Sequence, residues 1–281
     1  MAVEGDARSG FVVALAQATD ASLYGGKAAN LGVAAAHGLP VPPGIALSWT
    51  LVSRLAEGDE STIRLVTTAC RPLGGPLVVR SSAVGEDSPQ ASFAGQHLSV
   101  LNVAGAHGVA PAVTSVWESA HAASAAAYRE RMGVPSTPRV GVIVQRLVDA
   151  DVAGVLFDGN PLTGADEVVI ESAWGLGEAV VAGTVTPDHF RLGLSGELRE
   201  QDTGDKHVEL RPAPDGGTAA RAVAPERARA PSLSPEQLRE LFLLARRCRE
   251  VFGGSQDLEW AYEGAVLWLL QRRPVTASAR R

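Results

Sequence analysis

The chain has 281 residues, with 25 Lys+Arg against 31 Asp+Glu for a formal net charge of −6, and it is 46% hydrophobic and 20% charged. This is the composition of a soluble globular protein, and at ~150 residues per domain it suggests two domains or lobes. It excludes a general nucleic-acid binder, which needs a basic block, and a membrane span, which needs roughly 18 or more apolar residues in a run.

Glu4 and Asp6 precede any apolar stretch, the wrong order for a signal peptide, so a cytoplasmic location is expected. Cys70 and Cys248 fit neither a disulfide framework nor a cysteine zinc site. They read as buried small apolar side chains in a reducing compartment.

In chain order, a short strand is predicted over Phe11–Leu15. Leu23-Tyr24-Gly25-Gly26-Lys27 follows, then a small-residue helix over Ala28–His37, stopped by Gly38-Leu39-Pro40-Val41-Pro42-Pro43-Gly44. A buried strand over Leu77–Arg80 leads into a Ser/Ala/Gly loop through Gly95, and Ala110–Met132 reads as a helix. Val140–Val148 and Val152–Phe157 are β-branched runs separated by Asp149-Ala150-Asp151, the pattern of a hairpin. A strand over Val168–Glu171 precedes Trp174-Gly175-Leu176-Gly177-Glu178.

Residues 201–233 are polar and rich in Pro, Ala and Arg, and read as irregular connection with room for one short strand. Ser234-Pro235-Glu236-Gln237 is a capping-box signature, and Leu238, Leu241, Phe242, Ala245, Cys248 and Phe252 repeat at helical spacing until Gly253-Gly254. The last element is a hairpin, Asp257–Tyr262 and Val266–Gln271, turning at Glu263-Gly264. There is no internal repeat. Helices and strands mix without strict alternation, so the fold class is α+β, or mixed α/β with antiparallel hairpins.

Three segments carry candidate chemistry. Lys27 in a first helical turn opposes the helix dipole, a conflict that a bound anion would remove; a solvated surface lysine is the alternative. The spacing is not a Walker A motif, because Ala21 and Ala28 stand where Gly and Ser/Thr are required. Arg80-Ser81-Ser82-Ala83, at the end of an apolar strand and followed by small residues, could cradle a polyphosphate or be a plain loop.

In the terminal hairpin Asp257 and Glu259 share a strand face. A three-residue loop, Glu263-Gly264-Ala265, would set Gln271 opposite Asp257 with Arg273 on the same face, and a two-residue turn would break that alignment. Two carboxylates and an amide oxygen are hard ligands suited to Mg²⁺; a solvent-facing polar side of an edge hairpin is the alternative. Trp174–Glu178 lacks the third glycine of a dinucleotide fingerprint, and none of the six histidines stands at metal-ligand spacing with another His or Cys.

Taken in order, these segments resemble the N-terminal ATP-grasp domain of the phosphoenolpyruvate synthase and pyruvate phosphate dikinase superfamily, which includes rifampicin phosphotransferase. The resemblance rests on Gly25–Gly32, Gly38–Gly44, Val79–Ala83 with Glu86-Asp87, Ser92–Gln96, Val144–Val148 and Ala153–Phe157. It continues through Asn160–Gly164, Trp174–Glu178, Thr186-Pro187-Asp188, Gln256–Trp260 and Leu270–Pro274. It implies a two-lobed ATP-grasp fold with ATP between the lobes, residues 1–144 forming the N-terminal lobe and 145–281 the C-terminal lobe.

By the same resemblance, Lys27, Arg80, the Gly95 backbone and Ser99 would hold phosphates. Gln145 to Val148, Leu147 among them, would meet adenine. Glu259 and Gln271 would bind Mg²⁺ with Asp257 adjacent, and Arg273 would stabilise charge on the transferred phosphoryl group. Lys27, Arg80 and Arg273 are the expected catalytic groups.

Family members carry a phosphate-accepting histidine in a Thr-Ser-His context, which this sequence lacks. The expected function is therefore transfer of a phosphoryl group from Mg-ATP to a phosphohistidine carrier domain or protein in trans, for onward phosphorylation of pyruvate or another small molecule. The alternatives are a stand-alone ATP-grasp kinase acting directly on a small molecule and a non-catalytic nucleotide-binding regulatory subunit.

Overall fold

In the computed structural model, residues 11–85, 98–122, 138–161 and 163–275 are described. Gly95, Glu86-Asp87, Ser92–Gln96, Leu162 and the second half of the helix expected over Ala110–Met132 lie outside them. The chain forms two compact units. The first comprises residues 1–36, 43–147 and 215–217, and the second 37–42, 148–214 and 218–281.

The first unit is built on an antiparallel five-stranded sheet ordered β1-β2-β5-β3-β4, from β1 (Val12–Ala14), β2 (Gly44–Leu47), β3 (Pro76–Ala83), β4 (Ser99–Ala104) and β5 (Val140–Arg146). Alternation along the strands divides the two faces. Leu77, Val79, Val140, Val142 and Val144 point into a core with Leu51, Val52 and Leu55 of α3 (Trp49–Ala56), Val66 of α4 (Glu60–Cys70) and Val109, Val113 and Val116 of α5 (Val109–His121). The alternate residues, Arg80, Ser82, Ile143 and Gln145, face the side carrying α1 (Ala21–Tyr24) and α2 (Gly26–Ala36).

The second unit carries an antiparallel six-stranded sheet ordered β13-β12-β6-β7-β8-β9. Its strands are β6 (Val152–Asp158), β7 (Val168–Trp174), β8 (Asp188–Leu192), β9 (Leu198–Asp202), β12 (Gln256–Glu263) and β13 (Val266–Pro274). Two short helices, α6 (Glu178–Val181) and α7 (Pro225–Ala228), precede α8 (Pro235–Phe252), which lies against β6 and β12 and buries Leu238, Leu241, Leu244, Ala245 and Cys248.

The expected capping box forms at Ser234 and Gln237, and Gly253 ends the helix at φ 70°. The segment His37–Pro42 joins this unit because Arg247 Nη2 donates to the Gly38 carbonyl at 2.9 Å and the Leu269 N–H to the Pro40 carbonyl at 2.7 Å.

Two expectations fail here. Val140–Arg146 and Val152–Asp158 are not a hairpin: β5 pairs with β2 and β3, while β6 pairs with β12 and β7. Each is a central strand of its own sheet, which explains why both runs are largely apolar. Residues 201–233 are not irregular either. β10 (Val208–Pro212) and β11 (Thr218–Ala222) form a two-stranded antiparallel ribbon, hidden from pattern reading because few of its side chains are buried. Both cysteines are buried free thiols, as expected.

Candidate functional site

The candidate residues form two sets, one in each unit. In the first unit the N-terminus of α2 is fixed to β3 from outside the helix. The Ser82 hydroxyl accepts the Ala28 N–H at 2.9 Å, satisfying one of the amides that a helix start leaves without a partner. The approach is close because residue 25 is glycine: it sits at φ 83°, and a Cβ there would lie 2.0 Å from the Ser82 carbonyl oxygen. Lys27, in the first turn so held, is only 6% exposed, which removes the solvated-surface alternative.

Arg80 lies two residues before Ser82 on the same face of β3, directly across the ladder from Ser99 of β4 and from Ile143 of β5. Gln145 continues that face on β5 and is 2% exposed. Lys27, Arg80, Ser99 and Gln145 therefore belong to one side of one sheet. Leu147 is buried just beyond β5, and its N–H already donates to the Pro76 carbonyl at 2.9 Å. What Leu147 offers a ligand is its carbonyl oxygen and side chain.

In the second unit the hairpin register differs from the expected one. Glu263 pairs with Val266, so the turn has two residues, not three. The ladder then shifts by one between Trp260↔Leu269 and Glu259↔Gln271, leaving Leu270 as a bulge, and continues to Asp257↔Arg273. A two-residue turn alone would put Gln271 and Arg273 on the opposite face from the carboxylates. The bulge returns them, so Asp257, Glu259, Gln271 and Arg273 share a face after all. Leu258, Trp260 and Tyr262 are buried on or beside the other face, as expected.

The pairing also sets the electrostatics. Arg273 Nε donates to Asp257 Oδ2 at 2.5 Å, while Asp257 Oδ1 is buried with no hydrogen-bond partner among the described residues. Burial pushes the Asp257 carboxyl above the ordinary value; Arg273 opposes that rise and the neighbouring Glu259 adds to it. Gln271 is 7% exposed, so this is not a solvated edge. Among the described residues no three His, Cys, Asp or Glu side chains group as a metal site, and the candidate oxygen donors are Asp257, Glu259 and the Gln271 amide. No described helix is long and apolar enough to cross a membrane.

Residues 59–281 match the family described as pyruvate phosphate dikinase, AMP/ATP-binding domain. Every candidate residue except Lys27 falls within that span. Among curated relatives, the prodigiosin synthesizing transferase PigC of Serratia marcescens is 39% identical over 91% of this chain and 32% of its own length. A probable phosphoenolpyruvate synthase of Methanothermobacter thermautotrophicus is 34% identical over 92% of this chain and 44% of its own. A rifampicin phosphotransferase of a Streptomyces species is 34% identical over 90% of this chain and 34% of its own. The chain thus spans less than half the length of the relatives it matches.

Proposed function

Since the chain belongs to the pyruvate phosphate dikinase AMP/ATP-binding domain family, we propose that it binds Mg-ATP and passes a phosphoryl group to a histidine on a carrier domain or protein, which phosphorylates a small molecule. One observation carries the metal-dependent half of this reading: a buried carboxylate oxygen, Asp257 Oδ1, without a hydrogen-bond partner among the described residues, on the same strand face as Glu259 and Gln271. A buried carboxylate in need of positive charge beside two further hard oxygen donors fits Mg²⁺. Such an ion, when bound, would neutralise charge on the phosphates.

The chain's own residues divide the remaining work. Lys27, held in the first turn of α2, and Arg80, at the carboxyl end of β3, hold phosphate oxygens, with the Ser99 hydroxyl beside Arg80. The Leu147 carbonyl and the neighbouring Gln145 orient the adenine. Arg273 steadies Asp257 through Nε and stabilises charge on the transferred phosphoryl group. This is the division expected of phosphoryl transfer, in which positioning and electrostatic stabilisation do nearly all the catalytic work.

The final acceptor is a small molecule, pyruvate or another. Incubation with Mg-ATP and a histidine-bearing carrier, followed by nucleotide chromatography, tests the proposal. With the β-phosphoryl group passed to the histidine and the γ-phosphoryl group passed to water, AMP and phosphate are the expected products, and ADP as the sole nucleotide product contradicts the proposal.

A further inference from the structure

Two features are left without a role by the nucleotide reading: the Trp174–Glu178 segment and the β10–β11 ribbon. They meet. The Leu176 N–H donates to the Leu210 carbonyl at 2.9 Å, and Gly175, at φ 78°, permits the approach, since a Cβ there would lie 2.4 Å from that same oxygen. The glycine-punctuated turn is therefore a seat for β10.

What β10 carries on that seat is Arg211, whose guanidinium reaches three consecutive residues. Nη1 donates to the Ala150 carbonyl at 2.9 Å and lies 3.6 Å from both Asp149 Oδ1 and Asp151 Oδ1. Nη2 is held by Glu209 at 3.2 Å, and Glu209 in turn meets Arg227, which stacks over Trp174 with 4.2 Å from its guanidinium carbon to the ring centroid.

Three other groups of the 149–151 backbone are also engaged. The Asp149 N–H donates to Glu263 Oε1 at 3.1 Å, the Asp151 N–H to the Tyr262 carbonyl at 2.8 Å, and the Gly175 N–H to the Asp151 carbonyl at 2.9 Å. The Ala150 carbonyl depends on Arg211. The two aspartates are more than half exposed and their ion pairs alone are weak; the guanidinium is mostly buried, and its grip on the backbone is the specific element.

We infer that Arg211 is a positioning residue for nucleotide recognition: by fixing Asp149–Asp151 it sets the conformation of Val148, the residue immediately before and the last of the adenine segment. This rests on the ATP reading above and deepens it. Arg211 acts through Asp149–Asp151, so its effect is confined to the base.

The test compares two ligands on the full chain with Mg²⁺ by calorimetry: ATP, which uses the adenine segment, and inorganic tripolyphosphate, which does not. Arg211→Met is expected to weaken ATP binding by about tenfold and leave tripolyphosphate unchanged. Arg211→Lys keeps the charge but lacks the planar fork, so it falls between wild type and Arg211→Met, and it carries the test should Arg211→Met not fold. Unchanged ATP affinity, or parallel loss of both ligands, overturns the positioning role. A wild-type chain that binds tripolyphosphate as tightly as ATP overturns the adenine reading itself, and this role with it.

Discussion

Gln271 lies directly across the ladder from Glu259, although only Gly264 and Ala265 turn the hairpin between their strands. The bulge at Leu270 makes this possible, and everything proposed for the metal-binding face depends on it. Deleting Leu270 would remove the extra residue together with its bulge, leaving Gln271 opposite Glu259 and Arg273 opposite Asp257 in a regular ladder, with the shared face intact. Mg-dependent ATP binding retained in that deletion is the expected result, whereas its loss would contradict this register. A simple Glu259→Gln exchange should also weaken binding of Mg-ATP while leaving the melting temperature nearly unchanged.

The Ser82 hydroxyl fixes the helix start that carries Lys27. Ser82→Ala leaves the buried Ala28 N–H without that acceptor, which is expected to cost ~1–3 kcal/mol in urea unfolding and to weaken ATP binding. Gly25→Ala is expected to be worse than Ser82→Ala, because it adds left-handed strain to a clash with the Ser82 carbonyl.

Lys206 and Asp188 form a fully buried ion pair, with Asp188 also accepting from the Gly204 N–H and from the backbone and hydroxyl of Ser232. Lys206→Met strands a buried carboxylate and should destabilise by about 3–5 kcal/mol. Adding Asp188→Asn to Lys206→Met is expected to recover part of that loss, an interaction readable in a double-mutant cycle of chemical denaturation.

Burial pushes both thiols up to about 12: Cys70 by burial alone, Cys248 by burial against the opposing pull of Arg272 and Arg247, with Asp158 adding to it. Below the ordinary value of 9.0 the folded and unfolded thiols are equally protonated. Above it the unfolded thiols ionise first, so stability falls as pH rises from 9.0 towards 12. Iodoacetamide at pH 8 should therefore leave both cysteines unmodified until denaturant is added.

How far the sequence could be read depended on whether a signal was local. The α8 capping box was legible because Ser234 and Gln237 complete it within one turn. The shared face of Asp257 and Glu259 followed from strand alternation, but the bulge at Leu270 has no composition of its own, and only the ladder reveals it. The β5–β6 hairpin was misread because two apolar runs three residues apart look alike whether they pair together or enter separate sheets. Lys27 is ambiguous for a related reason: the helix start that carries it is fixed by Ser82 of β3, more than fifty positions away. Nothing in the Pro- and Arg-rich 201–233 stretch marks Arg211, since, Glu209 apart, its partners are backbone and side chains of the distant segment Asp149–Asp151.

The central claim is that the chain binds ATP as its Mg²⁺ complex, and calorimetric titration of ATP tests it most directly. The chain should bind ATP saturably only with Mg²⁺ present, and Lys27→Ala and Glu259→Gln should each lower the affinity by at least about a hundredfold, the few kcal/mol a charged phosphate contact supplies. Affinity that is independent of Mg²⁺ and untouched by either substitution would contradict the account.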